Sequence, residues 1–147
     1  MQNERTKSWE RISLESLALV ADELLSLFPQ PVFIAIQGEM GAGKTTFVQA
    51  LLRTLGIEKP DGSPTYAIVH EYIRKTGSKI YHLDCYRIEN EQDLAQLGLE
   101  ELFEEHAYFF VEWPDKIEHI LPEHTNWLYI RCEPEGELRE IVLNYDN

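Results

Sequence analysis

Gly38-Glu39-Met40-Gly41-Ala42-Gly43-Lys44-Thr45 has the residue types and spacing of a phosphate-binding loop: Gly, four free positions, then Gly-Lys-Thr. At average composition such a match arises by chance in roughly one chain of this length in a hundred or fewer. Glycines let the backbone curl until successive N–H groups point into one concavity. A helix that follows contributes unsatisfied N–H groups and the positive end of its dipole. Lys44 then supplies a point charge to the β and γ phosphates of a nucleotide, and the Thr45 hydroxyl can ligate Mg2+. The stretch expected to cradle phosphate runs from Gly38 through Thr46.

Three further clusters carry polar groups at positions suited to chemistry. Ser63-Pro64-Thr65-Tyr66 lies about twenty residues beyond the loop. A hydroxyl such as Thr65 in a loop of this kind can meet the metal or the γ-phosphate; by spacing alone it is better read as a turn entering a strand. His82-Leu83-Asp84-Cys85-Tyr86-Arg87 stands at the end of a strand pattern, where open α/β sheets bind ligands. Asp84 can hold magnesium through water or orient an attacking water, and Arg87 can meet phosphate or pair with Asp84. His82 by itself is more simply a structural histidine. Phe109-Phe110-Val111-Glu112-Trp113 is an apolar run closed by an acid. An acid rarely ends such a run without a cation or hydrogen-bond donors beside it, so Glu112 is a candidate magnesium ligand and Trp113 a packing residue.

Elements must hold these groups together. Val32–Ile36 is a short apolar run expected to form a buried strand, and Thr46 to Leu55 carries a helical apolar face closed by Gly56. Before them, Leu14, Leu17, Ala18, Ala21, Leu24, Leu25 and Phe28 recur at helical spacing behind Ser13, a plausible N-cap, and Pro29 and Pro31 end that helix. Residues 57–64, with two prolines and a glycine, are expected to form a loop. Strands are expected over 66–74 and 79–84 with a turn at Lys75-Thr76-Gly77-Ser78. A helix is expected over 91–103, a buried strand over 108–112, a helix from Pro114, and closing strands over 127–132 and 137–143. The pattern predicts an α/β fold: one P-loop NTPase domain over residues 1–147, with a mixed, mostly parallel sheet flanked by helices and an antiparallel hairpin.

Composition narrows the function. The chain has 147 residues and a formal charge of −13, with its 13 Lys and Arg scattered among 26 acids. A protein that grips a nucleic-acid backbone unaided shows a basic patch, so strong direct nucleic-acid binding is not expected. No apolar run reaches the ~20 residues of a membrane span, and the polar N-terminus resembles neither signal nor transit peptide, so a cytoplasmic location is expected. The two cysteines form no C-x-x-C pair, which disfavours zinc and suits a reducing compartment. No Asn-Lys-x-Asp is present to read guanine, which favours ATP over GTP. The seven arginines are never adjacent, unlike the arginine-rich lid of a small-molecule kinase.

The set as a whole resembles the bacterial TsaE (YjeE) family, the small ATPases of tRNA threonylcarbamoyladenosine biosynthesis. The resemblance rests on Gly38 through Thr46, Ser63-Pro64-Thr65-Tyr66, Glu71-Tyr72, His82-x-Asp84-x-Tyr86-Arg87, Leu97-Gly98 and Glu112-Trp113, in the family's order. Met40 and Cys85 stand where Leu is common, without touching a polar role. The resemblance implies a weak ATPase that associates with homologues of TsaD and TsaB, meets tRNA only through that complex, and resets it between turnovers. It further implies that Thr45 and Glu112 bind magnesium, that Lys44 and Asp84 serve hydrolysis, and that Thr65 belongs to a switch-like loop. The alternatives on residues alone are a free-standing small-molecule kinase and a nucleotide-dependent interaction module without turnover.

Overall fold

The computed structural model describes residues 4–60 and 68–146. Among these, seven strands form one sheet: β1 (Glu4–Ile12), β2 (Phe33–Gln37), β3 (Val69–Ile73), β4 (Lys79–Asp84), β5 (Tyr108–Glu112), β6 (Asn126–Cys132) and β7 (Arg139–Asp146). Their order across the sheet is β1-β7-β6-β2-β5-β4-β3. The middle strands β6, β2, β5 and β4 run parallel, while β3, β7 and β1 add antiparallel pairs at the two edges. This is the α/β fold the sequence pattern predicts, with the β3–β4 hairpin in place.

Alternation along the central strands sorts side chains between two cores. Ile34 and Ile36 of β2, Phe110 of β5 and Ile80 of β4 pack with helices α1 (Leu17–Ser26) and α2 (Lys44–Thr54). Phe33, Phe109, Val111, Tyr81 and Leu83 face the other way, onto α3 (Glu91–Ala95), α4 (Leu99–Leu102) and the 3-10 segment Pro114–Ile120. Both faces of β2 and β5 are covered, which is why these strands read as continuous apolar runs. Parity also aims the polar strand ends. His82 and Asp84 follow Ile80 at two-residue steps, and Glu112 follows Phe110, so all three belong to the face on which α2 lies.

Several boundaries differ from the sequence expectation for identifiable reasons. Ser13 does cap, through a reciprocal capping box with Ser16, but it caps a 3-10 turn, Leu14–Ser16, and α1 begins only at Leu17. Leu14 therefore leaves the apolar stripe and is 74% exposed. The single helix expected over 91–103 is two short ones, because Gly98 takes a left-handed conformation, φ 64°, and serves as N-cap of α4. The segment after Pro114 is a 3-10 turn rather than an α-helix, with Ile117 fully buried. Strand β1 has no counterpart in the sequence expectation. It is polar and mostly exposed, paired with β7 from Glu4↔Asp146 to Ile12↔Arg139 with an irregularity after Trp9. A charged strand on an open edge discourages pairing with other chains and carries little hydrophobic alternation to betray it. The Ser63–Tyr66 segment, Thr65 included, lies outside the described residues.

No helix among the described residues is long and apolar enough to cross a membrane. Asn126, buried at the start of β6, ties the parallel centre to the chain end. Its Nδ2 donates to Phe33 O at 3.1 Å and its Oδ1 accepts the Asp146 N–H at 3.1 Å. Asn126→Leu is expected to destabilise the fold by about 1–3 kcal/mol, because the buried Phe33 carbonyl and the part-buried Asp146 N–H both lose that partner. Urea denaturation reads this, and an unchanged midpoint would show that the amide contributes nothing.

Candidate functional site

The loop after β2 sits at the carboxyl edge of the parallel strands, where β4 and β5 also end. The glycine spacing is accounted for at three points. A Cβ on Gly38 would lie 2.6 Å from Ile130 O of β6, so the loop leaves β2 pressed against the neighbouring strand. Gly41 and Gly43 have φ of 85° and 98°, conformations that L side chains rarely adopt. Gly43 is also the N-cap of α2. Ala42 O in mid-loop accepts a 2.8 Å hydrogen bond from Arg139 Nε of β7, which ties the loop to the β6–β7 hairpin.

Lys44 and Thr45 open α2 and meet the strand ends. Thr45 Oγ1 lies 3.0 Å from both Glu112 carboxylate oxygens. Glu112 is 2% exposed, and its Oε2 is 2.6 Å from His82 Nε2. Asp84 pairs in register with Glu112 across β4 and β5, and its Oδ1 accepts the Tyr86 N–H at 3.1 Å. A cavity of about 370 Å³ opens over this cluster, lined by Gly41, Lys44, Thr45, Asp84, Glu112 and Trp113 among others. A larger one of about 860 Å³ lies on the other side of the loop, between Met40, Trp113, Tyr129 and Arg131.

Lys44 is 6% exposed and folds back on its own loop. Its Nζ donates to the carbonyls of Gly38 and Glu39 and stands 3.8 Å from the centre of the Trp113 ring. Trp113 holds this place in a left-handed backbone conformation, φ 56°, uncommon for a bulky residue. Tyr86 packs against its ring at 5.0 Å. Burial pushes the Lys44 ammonium below the ordinary lysine range, and the negative charges of Glu112, Asp84 and Asp115 offset only part of that. Burial likewise raises the Cys85 thiol to about 12, so this cysteine beside Asp84 is a packing residue, not a nucleophile.

The donor set suits a magnesium ion. Among the described residues no group of three or more His, Cys, Asp or Glu is placed to bind a metal alone. Mg2+ asks for less, since it commonly takes one or two protein oxygens and completes its shell with water and substrate phosphates. Thr45 Oγ1 and Glu112, converging at the base of a phosphate-sized cavity, are such a pair.

The structure is similar to that of YdiB from Bacillus subtilis, with a TM-score of 0.77 and 25% identity, covering 100% of this chain and 90% of that one. The sequence is 35% identical over 135 residues to the tRNA threonylcarbamoyladenosine biosynthesis protein TsaE of Bacillus subtilis, covering 91% of this chain and 82% of that protein. It is 32% identical over 110 residues to the protein of the same name from Treponema pallidum, covering 75% and 79%. A family model described as threonylcarbamoyl adenosine biosynthesis protein TsaE matches residues 12–141. The chain belongs to the TsaE family.

The residues read from the sequence as carrying chemistry come together in part. Met40, Gly41, Gly43, Lys44, Thr45, Thr46 and Asp84 line the smaller cavity with Glu112, Gly38, Glu39 and Ala42 line the larger one, and Thr65 lies outside the described residues. Arg87 is exposed on the turn after β4. Two residues assigned to packing in the sequence do more. Trp113 contacts the Lys44 ammonium, and His82 contacts Glu112. Strand parity was the available signal for His82, which shares a face with Asp84. Asp115, near enough to act on Lys44, had no motif to mark it.

Lys44 gives a pH prediction with a definite sign. Its folded pKa lies below the unfolded value of 10.5, so at neutral pH the fold bears the cost of a buried cation. Between the two values the unfolded chain binds more protons, and stability of the parent rises with pH. Lys44→Met is therefore expected to match or exceed the parent in thermal midpoint at pH 7, with the gap narrowing as pH approaches 10.5. Thermal unfolding across that range checks it, and a variant less stable than the parent at pH 7 would overturn it.

Proposed function

We propose that this protein is an Mg2+-dependent ATPase that supports tRNA threonylcarbamoyladenosine formation by acting on a complex of TsaB and TsaD homologues. The observation that carries the reading is the junction of α2 with β5. A buried Lys44 and a Thr45–Glu112 pair meet at a helix N-terminus beside a glycine loop. Membership of the TsaE family supplies the biological setting. The absence of a guanine-reading motif in the sequence favours ATP.

The residues divide the work by position. Backbone N–H groups from Gly38 to Thr46 bind the phosphates, and Lys44 exchanges the Gly38 and Glu39 carbonyls for phosphate oxygens. Thr45 and Glu112 would hold magnesium, which would supply positive charge against the negative charge building on the phosphates. Asp84, at the end of the adjacent strand and on the same face as Glu112, orients the attacking water. Thr65 senses the γ-phosphate and passes the nucleotide state to the partner. Contact with tRNA runs through that partner, in keeping with a chain of charge −13. A cytoplasmic location follows from this setting.

The decisive assay measures magnesium-dependent ATP and GTP hydrolysis by the pure protein, alone and with a cognate TsaB–TsaD pair. ATP-selective hydrolysis that rises with the pair is expected. Lys44→Ala is expected to abolish it. Asp84→Asn should lower the rate by about 100-fold or more while leaving nucleotide affinity near the parent's, the signature of a lost water-positioning group. Parental hydrolysis by Lys44→Ala would sink the assignment. Binding without turnover would make the protein a nucleotide-dependent interaction module, and phosphoryl transfer to a small acceptor would make it a kinase.

A further inference from the structure

Glu112 is the most deeply buried acid of the site, and a buried carboxylate survives only with donors on its oxygens. Two side chains supply them. Thr45 Oγ1 donates from the α2 side, and His82 Nε2 lies at 2.6 Å on the β4 side. The Thr45 hydroxyl has a second duty under the proposed function, because its lone pair would ligate the metal while its O–H points to Glu112. The His82 contact has no such competing duty. His82 is 4% exposed on a central strand, two residues before Asp84, with β5 in register beside it. The ring is fixed by the sheet, not by a mobile loop.

We infer that His82 is a positioning residue for the magnesium ligand: its Nε2–H donates to Glu112 Oε2 and holds the carboxylate toward Thr45. The inference rests on the proposed Mg2+ site and deepens it. A carboxylate offers only acceptors, so the proton of the bond must sit on Nε2. The bond is short, as hydrogen bonds to charged acceptors are. Its consequence is directional. With Oε2 occupied by the ring, Oε1 is the oxygen left to turn toward the cavity, with Thr45 Oγ1 3.0 Å from both oxygens. Hydrogen-bonding partners of metal ligands typically carry about 10–100-fold in metal affinity.

The test separates holding the metal from holding the fold. ADP affinity is measured by calorimetry with and without Mg2+, for the parent, His82→Gln and His82→Met. Glutamine can present an N–H donor from the same strand position; methionine fills the space without one. His82→Met is expected to raise the Mg2+ concentration for half-maximal enhancement of ADP binding about tenfold or more, with Mg2+-free ADP affinity unchanged. His82→Gln should recover most of that loss. A folded His82→Met protein with the parental Mg2+ requirement overturns the inference, as does a Gln variant no better than Met. Should the Met variant fail to fold, nitrogen NMR of the parent decides. A proton on Nε2 upholds the inference, and a proton on Nδ1 alone ends it. A parent whose ADP binding ignores Mg2+ would bring down the metal-site reading itself; loss confined to the comparison of variants would bring down only the role of His82.

Discussion

The contact between Thr45 Oγ1 and the buried Glu112 carboxylate can form only if three separate parts of the chain agree to within a residue. Strand β5 must run parallel to β2 with Ile36 opposite Glu112, so that the acid emerges level with the start of the glycine loop. Strand β4 must lie on the far side of β5 with Asp84 opposite Glu112, which brings His82 and Asp84 to the same face. The loop must then turn back over that face, so that the first turn of α2 presents Lys44 and Thr45. Since side chains alternate along a strand, a one-residue slip of β5 would turn Glu112 toward the residues packed on α3 and α4 and leave Thr45 facing hydrocarbon, and a slip of β4 would do the same to His82 and Asp84. The apolar cores on the two faces are what forbid that slip. Moving Phe110, Ile34 and Ile36 to the opposite face would exchange both cores at once.

The same region concentrates local cost. Lys44 is a buried cation whose proton is loosened by desolvation, and Trp113 adopts a backbone region bulky residues avoid. Gly41 and Gly43 lose more freedom on folding than residues with a Cβ would. Each is unfavourable in isolation, and together they gather around one cavity. The rest of the sheet supplies the stability that tolerates them, through strands covered on both faces and a β6–β7 hairpin that holds the loop by Arg139. Strain and desolvation confined to a ligand-sized space are what a site held ready for a charged ligand requires.

Residues with strong local chemistry were legible in the sequence. The glycine loop, the apolar strands 33–37 and 108–112, and the hairpin turn at Lys75–Ser78 announce themselves by spacing, β-branching and turn residues. Glu112 was legible because an acid closing an apolar run demands a partner. What escaped was set by tertiary context. Strand β1 is held by backbone pairing to β7 and has almost no hydrophobic alternation. The helix expected over 91–103 broke because Gly98 exploits a left-handed conformation that a periodicity count does not see. His82 looked like any strand histidine until register placed it against Glu112, and Trp113 looked like filler until its ring met Lys44.

The cavity over Thr45 and Glu112 holds one cation, Lys44, and among its described lining residues there is no arginine. Arg139 is engaged by Ala42 O and by carbonyls of its own hairpin, and Arg131 pairs with Glu140. Phosphoryl transfer to water spreads negative charge over the equatorial oxygens, and enzymes of this class commonly meet it with an arginine supplied in cis or by a second protein. For the proposed ATPase, Lys44 and a magnesium ion would hold the ground-state phosphates, and an arginine from a second protein would add a donor for the transition-state charge. A site completed in that way would retain nucleotide while hydrolysing it slowly, and turnover would be a property of the proposed complex. The partner that completes the site would then also set the moment of hydrolysis, which is the arrangement a protein that resets another enzyme between turnovers needs.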